Sequence, residues 1–336
     1  MKIAFLCIAS GIMLLSVSVF PKKIGSLPDA AKPLFMEVNN GQLVISDQAP
    51  KVLLYSISPF KFQKELSRRG DGPSECNAVP QLVIGKNYIY LYELGRCIYF
   101  NRDGTYKNQF RIPQPHNILL APLGDNFLWI KRPPEDGMEM SIYSQSQNKE
   151  FQYKKLIYLY RFDKNKSFGG KIEYPIVKDY CGTVLHDDRV FIGDSKRGLY
   201  VEGFDSNGNQ FCKIRLYIEK SKISEEYKED WMKRAKQDKL WSYFSNIYTV
   251  VFPEYYPSFY RFDEDNGKIY FLTYNKKNAN RELLITDFKG KLLKRTWVPW
   301  VENEMYTNFS IENGKFYYII DNEESEVWEL HAVDIQ

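Results

Sequence analysis

The chain has 336 residues, 44% hydrophobic and 16% aromatic, with 46 Lys and Arg against 42 Asp and Glu, a formal net charge of +4. That aromatic content excludes a disordered polymer, and the length suits one large all-β unit as well as about two domains. The basic residues are scattered rather than gathered in a stripe, which excludes nucleic acid as a partner class.

The N-terminal "MKIAFLCIASGIMLLSVSVF" has one lysine, an apolar run, and small residues at Ser16 and Ser18. It reads as a signal peptide over residues 1–18, cleaved near Ser18, and directs the protein to the periplasm or the outside of the cell. The competing reading is an uncleaved N-terminal anchor, since the apolar run is near the lower limit for a span; it is the one route to a membrane expected here. Cys7 belongs to this segment. The other cysteines, Cys76, Cys97, Cys181 and Cys212, match no zinc spacing, and both disulfides and buried free thiols stay open.

Residues 19–336 then read as one domain built on a repeat, a tight turn followed by a strand. It occurs as Asn39-Asn40-Gly41 before "QLVISD", Gly85-Lys86-Asn87 before "YIYLYE", and Gly124-Asp125-Asn126 before "FLWIKR". It recurs as Asp187-Asp188 before "RVFIGD", Asn266-Gly267 before "KIYFLT", and Asn313-Gly314 before "KFYYII". Asn, Asp and Gly tolerate the positive φ of two-residue hairpins, so each turn joins a preceding strand to the one quoted. Further strands follow most units, as in "CIYFNRDGTYKNQFRI", "LYVEGFDSNGNQFCKIRLY" and "ELLITDFKGKLLKRTWV"; "SIYSQSQNKEFQYKKLIYL" in the third unit is the weakest match. Six repeats of four antiparallel strands predict an all-β, six-bladed β-propeller. The sixth unit ends at "EVWELHAV" without a fourth strand, so residues near 19–27 are expected to supply it and close the ring.

Between the first two units lies "RRGDGPSE", residues 68–75. It lacks the Gly-Lys-Ser/Thr ending of a phosphate loop, no helix follows, and Asp71 and Glu75 would repel phosphate, so it reads as a bend across the face of the disc. The repeats together with this stretch resemble the exported six-bladed β-propellers of bacteria, related to NHL-repeat and TolB-like propellers, in which a Gly-x-Gly-Pro-Gly-Glu-Phe-like stretch follows the first blade. The resemblance covers nearly all of the chain after the signal and implies fold and export. Ser74 and Cys76 depart from it, standing where a glycine and an aromatic are usual.

In a propeller the outer-to-inner and second-to-third connections share one side, and here they are the long ones. That face is the candidate ligand site: Arg69, Asp71, Glu75, Tyr92, Arg96, His116, Arg132, Asp194, Arg197, Tyr256 and Arg281. For any single one of them a plain solvated loop is the competing reading. Residues 221–244 form a helical insertion between blades four and five, with Ser224 as N-cap, Glu225 and Glu226 in the first turn, and Tyr227, Trp231 and Ala235 on one stripe. It is read as a cover for strand ends or as a wall of a ligand pocket.

Catalytic signatures are lacking. His116, His186 and His331 are isolated, no G-x-S-x-G occurs, and "DEDNG" at 263–267 fits the blade-five hairpin better than a calcium loop. The expectation is a monomeric, exported, non-enzymatic binding module for a peptide, glycan or protein partner in the cell envelope. No catalytic residue, metal ligand or cofactor is assigned, although a calcium ion in the central channel stays open. The alternatives are a metal-dependent hydrolase or lyase of lactonase type, by fold analogy alone, and a structural subunit of an envelope complex.

Overall fold

The computed structural model describes residues 21–93, 95–112, 117–131, 137–145, 151–161, 167–168 and 171–300, and then 309–335. Six four-stranded antiparallel sheets are strung along the chain. Blade one holds Pro33–Asn39, Gln42–Asp47, Lys51–Ile57 and Phe60–Ser67, and blade two Gln81–Ile84, Tyr88–Glu93, Arg96–Asn101 and Tyr106–Arg111. Blade three holds Asn117–Leu123, Asn126–Lys131, Gly137–Gln145 and Phe151–Arg161, and blade four Cys181–His186, Arg189–Asp194, Leu199–Phe204 and Gln210–Leu216. Blade five is Arg261–Asp265, Lys268–Lys277, Asn280–Asp287 and Leu292–Pro299. The fold is a six-bladed β-propeller.

Blade six draws on both ends of the chain. Phe309–Glu312, Lys315–Asn322 and Val327–Asp334 are joined by Lys22–Leu27, which pairs antiparallel with the last strand from Lys22 opposite Ala332 to Leu27 opposite Trp328. Ring closure is thus the one expected from the sixth unit's missing strand.

The hairpin turns follow their sequence. Asn40-Gly41, Asp187-Asp188, Asn266-Gly267 and Asn313-Gly314 carry positive φ at both residues, the geometry that matches the twist of the flanking strands. In blades one, two, four and five the fourth strand is the most exposed, and apolar side chains of neighbouring blades meet in the gaps. Val44, Val52, Ile89 and Ile98 seal blade one to blade two, and Leu43, Ile45, Tyr317 and Leu330 seal blade six to blade one. Phe191, Val201, Phe259 and Phe271 do so between blades four and five. Cys76, Cys97, Cys181 and Cys212 are all free thiols; burial pushes Cys76 and Cys212 up to about 11, so they are inert packing groups.

The insertion holds two helices where one was expected, α1 (Glu225–Gln237) and α2 (Trp241–Ile247). Ser224 caps α1, its hydroxyl accepting from Tyr227 N at 3.2 Å. Tyr227 and Trp231 lean on the segment that follows the helices, 5.7 Å from Tyr256 and 5.8 Å from Phe252. A small third element was not legible: Ser167–Phe168, Lys171–Pro175 and Tyr248–Val251 form a sheet whose last two strands are parallel, linking the connection before blade four to the one after it. Because α1 buries no residue fully, its cap is a sizeable part of its stability. Ser224→Ala is expected to cost about 1 kcal/mol locally, raising amide hydrogen exchange over residues 225–237 by roughly fivefold with blade amides unchanged.

Candidate functional site

The inner strands of blades one, two, four, five and six line a central cavity of about 540 Å³. Strand alternation decides what faces it. Phe35, Glu37 and Asn39 share one parity and border the channel, while Met36 and Val38 between them enter the core shared with blade six. Arg261, Asp263 and Asp265 repeat the pattern in blade five.

Most polar groups of the channel clasp neighbouring blades. Glu37 Oε2 accepts from Ile84 N of blade two at 3.1 Å, and Ser310 Oγ of blade six accepts from Val38 N at 3.0 Å. Asp263 Oδ2 accepts from Ile311 N at 2.8 Å, and the Asp265 carboxylate from Asn313 N and Gly314 N, both at 3.0 Å. Glu312 accepts from Gly41 N at 3.2 Å. Arg102 extends the girdle outside the cavity, donating to Asn39 O at 2.7 Å and Gly85 O at 3.1 Å. These bonds satisfy backbone donors that open toward the axis where one sheet ends and the next begins.

Across the blade four to five gap, His186 Nδ1 lies 2.6 Å from Glu264 Oε2, and Arg189 Nη2 lies 3.6 Å from the same oxygen. Asp187 is 3.8 Å from His186 and 3.9 Å from Arg189. Two cations thus face two carboxylates and balance. The bond to Glu264 raises His186 to about 9 against the opposing effect of burial. Among the described residues no such cation is in contact with Glu37 or Asp263. They border the lumen with protein on their other sides, and this desolvation raises Glu37 to about 8 and Asp263 to about 7, each backbone bond offsetting part of the effect. Each carboxylate also feels charge across the channel, Asp263 acting on Glu37 and His186 on both.

The long-loop residues fall into three separate groups. In the first, Glu75 accepts from Gly72 N at 2.9 Å and Arg68 Nε at 3.0 Å, which holds its carboxyl below the usual range, and Asp71 takes the side-chain amide of Asn77. Arg96 donates to Glu75 O at 2.5 Å and Glu93 Oε2 at 2.8 Å, so the "RRGDGPSE" bend is tied by its own side chains, with Arg69 exposed at its start. In the second, Tyr158 Oη donates to Asp194 Oδ2 at 2.8 Å, and Arg197 lies 3.6 Å over the Tyr200 ring. In the third, Arg281 is 5% exposed, 4.9 Å from Trp300 and 5.1 Å from Tyr260, and Tyr256 stacks on Tyr274 at 4.7 Å. Tyr92 is buried in the core shared by blades two and three. His116 and Arg132 lie outside the described residues.

Sequence reasoning did not single out Glu37 or Glu312, and it read Asp263 and Glu264 only as part of the blade-five hairpin. One signal for them exists: an acid within three residues before an Asn-rich or Asn-Gly turn in units one, five and six.

No family model matches the chain. No curated protein matches it either. Among solved structures it is similar to an exported protein of Bacteroides fragilis NCTC 9343, so described in its name, at 13% identity with 95% of each chain covered and a TM-score of 0.56. It also aligns with the Cps50 (Swd1) β-propeller domain of Myceliophteria thermophila, at 11% identity over 94% of this chain and 100% of that one, TM-score 0.48. At such identity the first likeness supports the fold alone, and it agrees with the six blades found here.

Proposed function

We propose that the protein is an exported, non-enzymatic propeller module, of the NHL-repeat or TolB-like kind, that holds a small cationic ligand in its central channel. The carrying observation is the channel itself. Its volume is that of a small-molecule site, and it presents two carboxyl groups, Glu37 and Asp263, that no cation among the described residues touches, whereas His186, Arg189, Glu264 and Asp187 neutralise one another. An ammonium group entering there would displace the protons that these carboxyls hold and gain charge-assisted hydrogen bonds to the carboxylates. The long-loop face remains the place for a peptide, glycan or protein partner, but Arg96, Arg197 and Arg281 already serve internal contacts. Among the described residues no three His, Cys, Asp or Glu side chains converge as metal donors, so no specific observation favours the hydrolase reading. Export rests on the N-terminal sequence, with the name of the Bacteroides fragilis protein in agreement.

The test is a calorimetric screen of amines, amino acids, short peptides and sugars against the chain and its Glu37→Gln/Asp263→Asn variant. An amine-bearing ligand is expected to bind the parent at least tenfold more tightly, about 1.4 kcal/mol. A ligand bound equally by both, or only neutral ligands bound, would refute the channel reading.

A further inference from the structure

The α1–α2 corner is the most exposed apolar feature of the insertion. Leu240 is 70% exposed and Tyr243 69%, while the neighbouring Trp241 and Phe244 stack at 5.8 Å and Phe244 packs on Tyr174 and Tyr248 at 5.1 and 4.8 Å. The corner therefore has a fixed aromatic base and a projecting apolar tip. Neither helix buries a residue fully, so much of this element faces outward.

Its charge is one-sided. Glu225, Glu226 and Glu229 occupy the first half of α1, whereas Lys233, Lys236 and Lys239 flank the tip and make no ion pair among the described residues. Arg234 is paired with Asp230 at 3.1 Å, and Asp238 is turned to Leu240 N at 2.7 Å. Lys171, which donates to Ser245 O at 2.6 Å, and Lys178, 4.8 Å over Tyr174, add two positive charges at the base, against Glu173 on the same strand as Lys171.

We propose that this corner docks on an anionic lipid surface, Leu240 and Tyr243 entering the interface while Lys233, Lys236 and Lys239 meet the headgroups. The chemistry is that of an interfacial anchor: an exposed leucine and tyrosine preceded in the chain by exposed lysines whose stems can lie along the apolar layer. A second copy of the chain is a poorer occupant, because a two-fold contact would set the same unpaired lysines against each other. The tip is convex and projecting, which suits a fluid surface better than a pocketed partner. This route to a membrane is separate from the N-terminal segment and independent of the channel reading.

The experiment uses the chain from Pro21 onward, which contains every strand of the ring and lacks the apolar leader. It is sedimented with vesicles of phosphatidylcholine alone or mixed with phosphatidylglycerol. Binding is expected only to the mixed vesicles, reduced by salt. It should fall at least roughly tenfold in Leu240→Glu/Tyr243→Ser and in Lys233→Glu/Lys236→Glu/Lys239→Glu, with melting temperatures unchanged because none of these side chains is buried. Absence of binding to mixed vesicles, or variants that bind like the parent, would overturn the proposal. So would a concentration-dependent dimer in light scattering that Leu240→Glu/Tyr243→Ser dissolves, since the patch would then be a self-interface.

Discussion

A chain starting at Pro28 is expected to melt on the order of 10 °C below one starting at Pro21, or to lose cooperative unfolding altogether. Lys22–Leu27 is the only strand that bonds the outer side of Val327–Asp334 among the described residues. Leu27 is fully buried in the core between blades six and one, and losing a leucine from such a site costs about 2–5 kcal/mol before any ladder bond is counted. Removing the strand also uncovers a long edge, which invites pairing between molecules. The ion pair Lys23–Glu329, at 2.6 Å, is a smaller part of the closure because Lys23 is half exposed, and Lys23→Ala alone should cost under about 1 kcal/mol. Lys23, His331 and Asn322 together hold the Glu329 carboxyl down to about 2, so its contribution is present above the ordinary carboxylate range and is lost as pH falls through about 2. Calorimetry of the two chains decides the matter: equal melting temperatures would mean that the ring does not depend on its N-terminal strand.

The propeller was legible because its information is local and repeated. An Asn-Gly or Asp-Asp pair between two alternating strands dictates a hairpin, and four such pairs, with glycine-led turns at Gly85 and Gly124 in the other two units, mark six repeats of one blade. Closure by Lys22–Leu27 followed from counting strands. The helical insertion was legible from the cap at Ser224 and the stripe through Tyr227 and Trp231, but the break at Asp238 that separates α1 from α2 was not, since no proline or glycine marks it. The parallel pair Lys171–Pro175 with Tyr248–Val251 joins segments more than 70 residues apart and left no local trace.

The candidate site was less legible for a physical reason. Arg96 and Arg281 stand out in the sequence because they read as loop charges, yet the structure places both at the start of strands, where they fill hydrogen-bonding and aromatic contacts. Glu37 is hidden in a strand as one acid among apolar residues, and Asp263 in an acidic run that reads as a hairpin turn, so both look like solvent-facing positions. Only closure of the ring turns those positions into a channel wall.

Raising pH from about 6 to about 9 is expected to lower the melting temperature markedly, through three channel groups acting in the same direction. Glu37 ionises near 4.5 when free but at about 8 in the fold, and Asp263 near 3.8 when free but at about 7 in the fold. Between those values the folded chain carries protons that the unfolded chain has released, so stability falls as pH climbs through each window. His186, ordinarily near 6.5 and raised to about 9 by Glu264, contributes stability fully present below 6.5 and lost as pH passes 9. Asp263, Arg102 and His186 act on Glu37, and Glu264, Asp187 and Asp263 act on His186. Glu37→Gln/Asp263→Asn removes two of the three ionisations while keeping an oxygen to accept from Ile84 N and Ile311 N. The variant should therefore melt higher than the parent at pH 9, differ little from it at pH 5, and keep a shallower decline due to His186. Parallel melting curves for parent and variant from pH 5 to pH 9 would show that neither carboxyl titrates in this range, and that the channel is too well hydrated to hold them protonated.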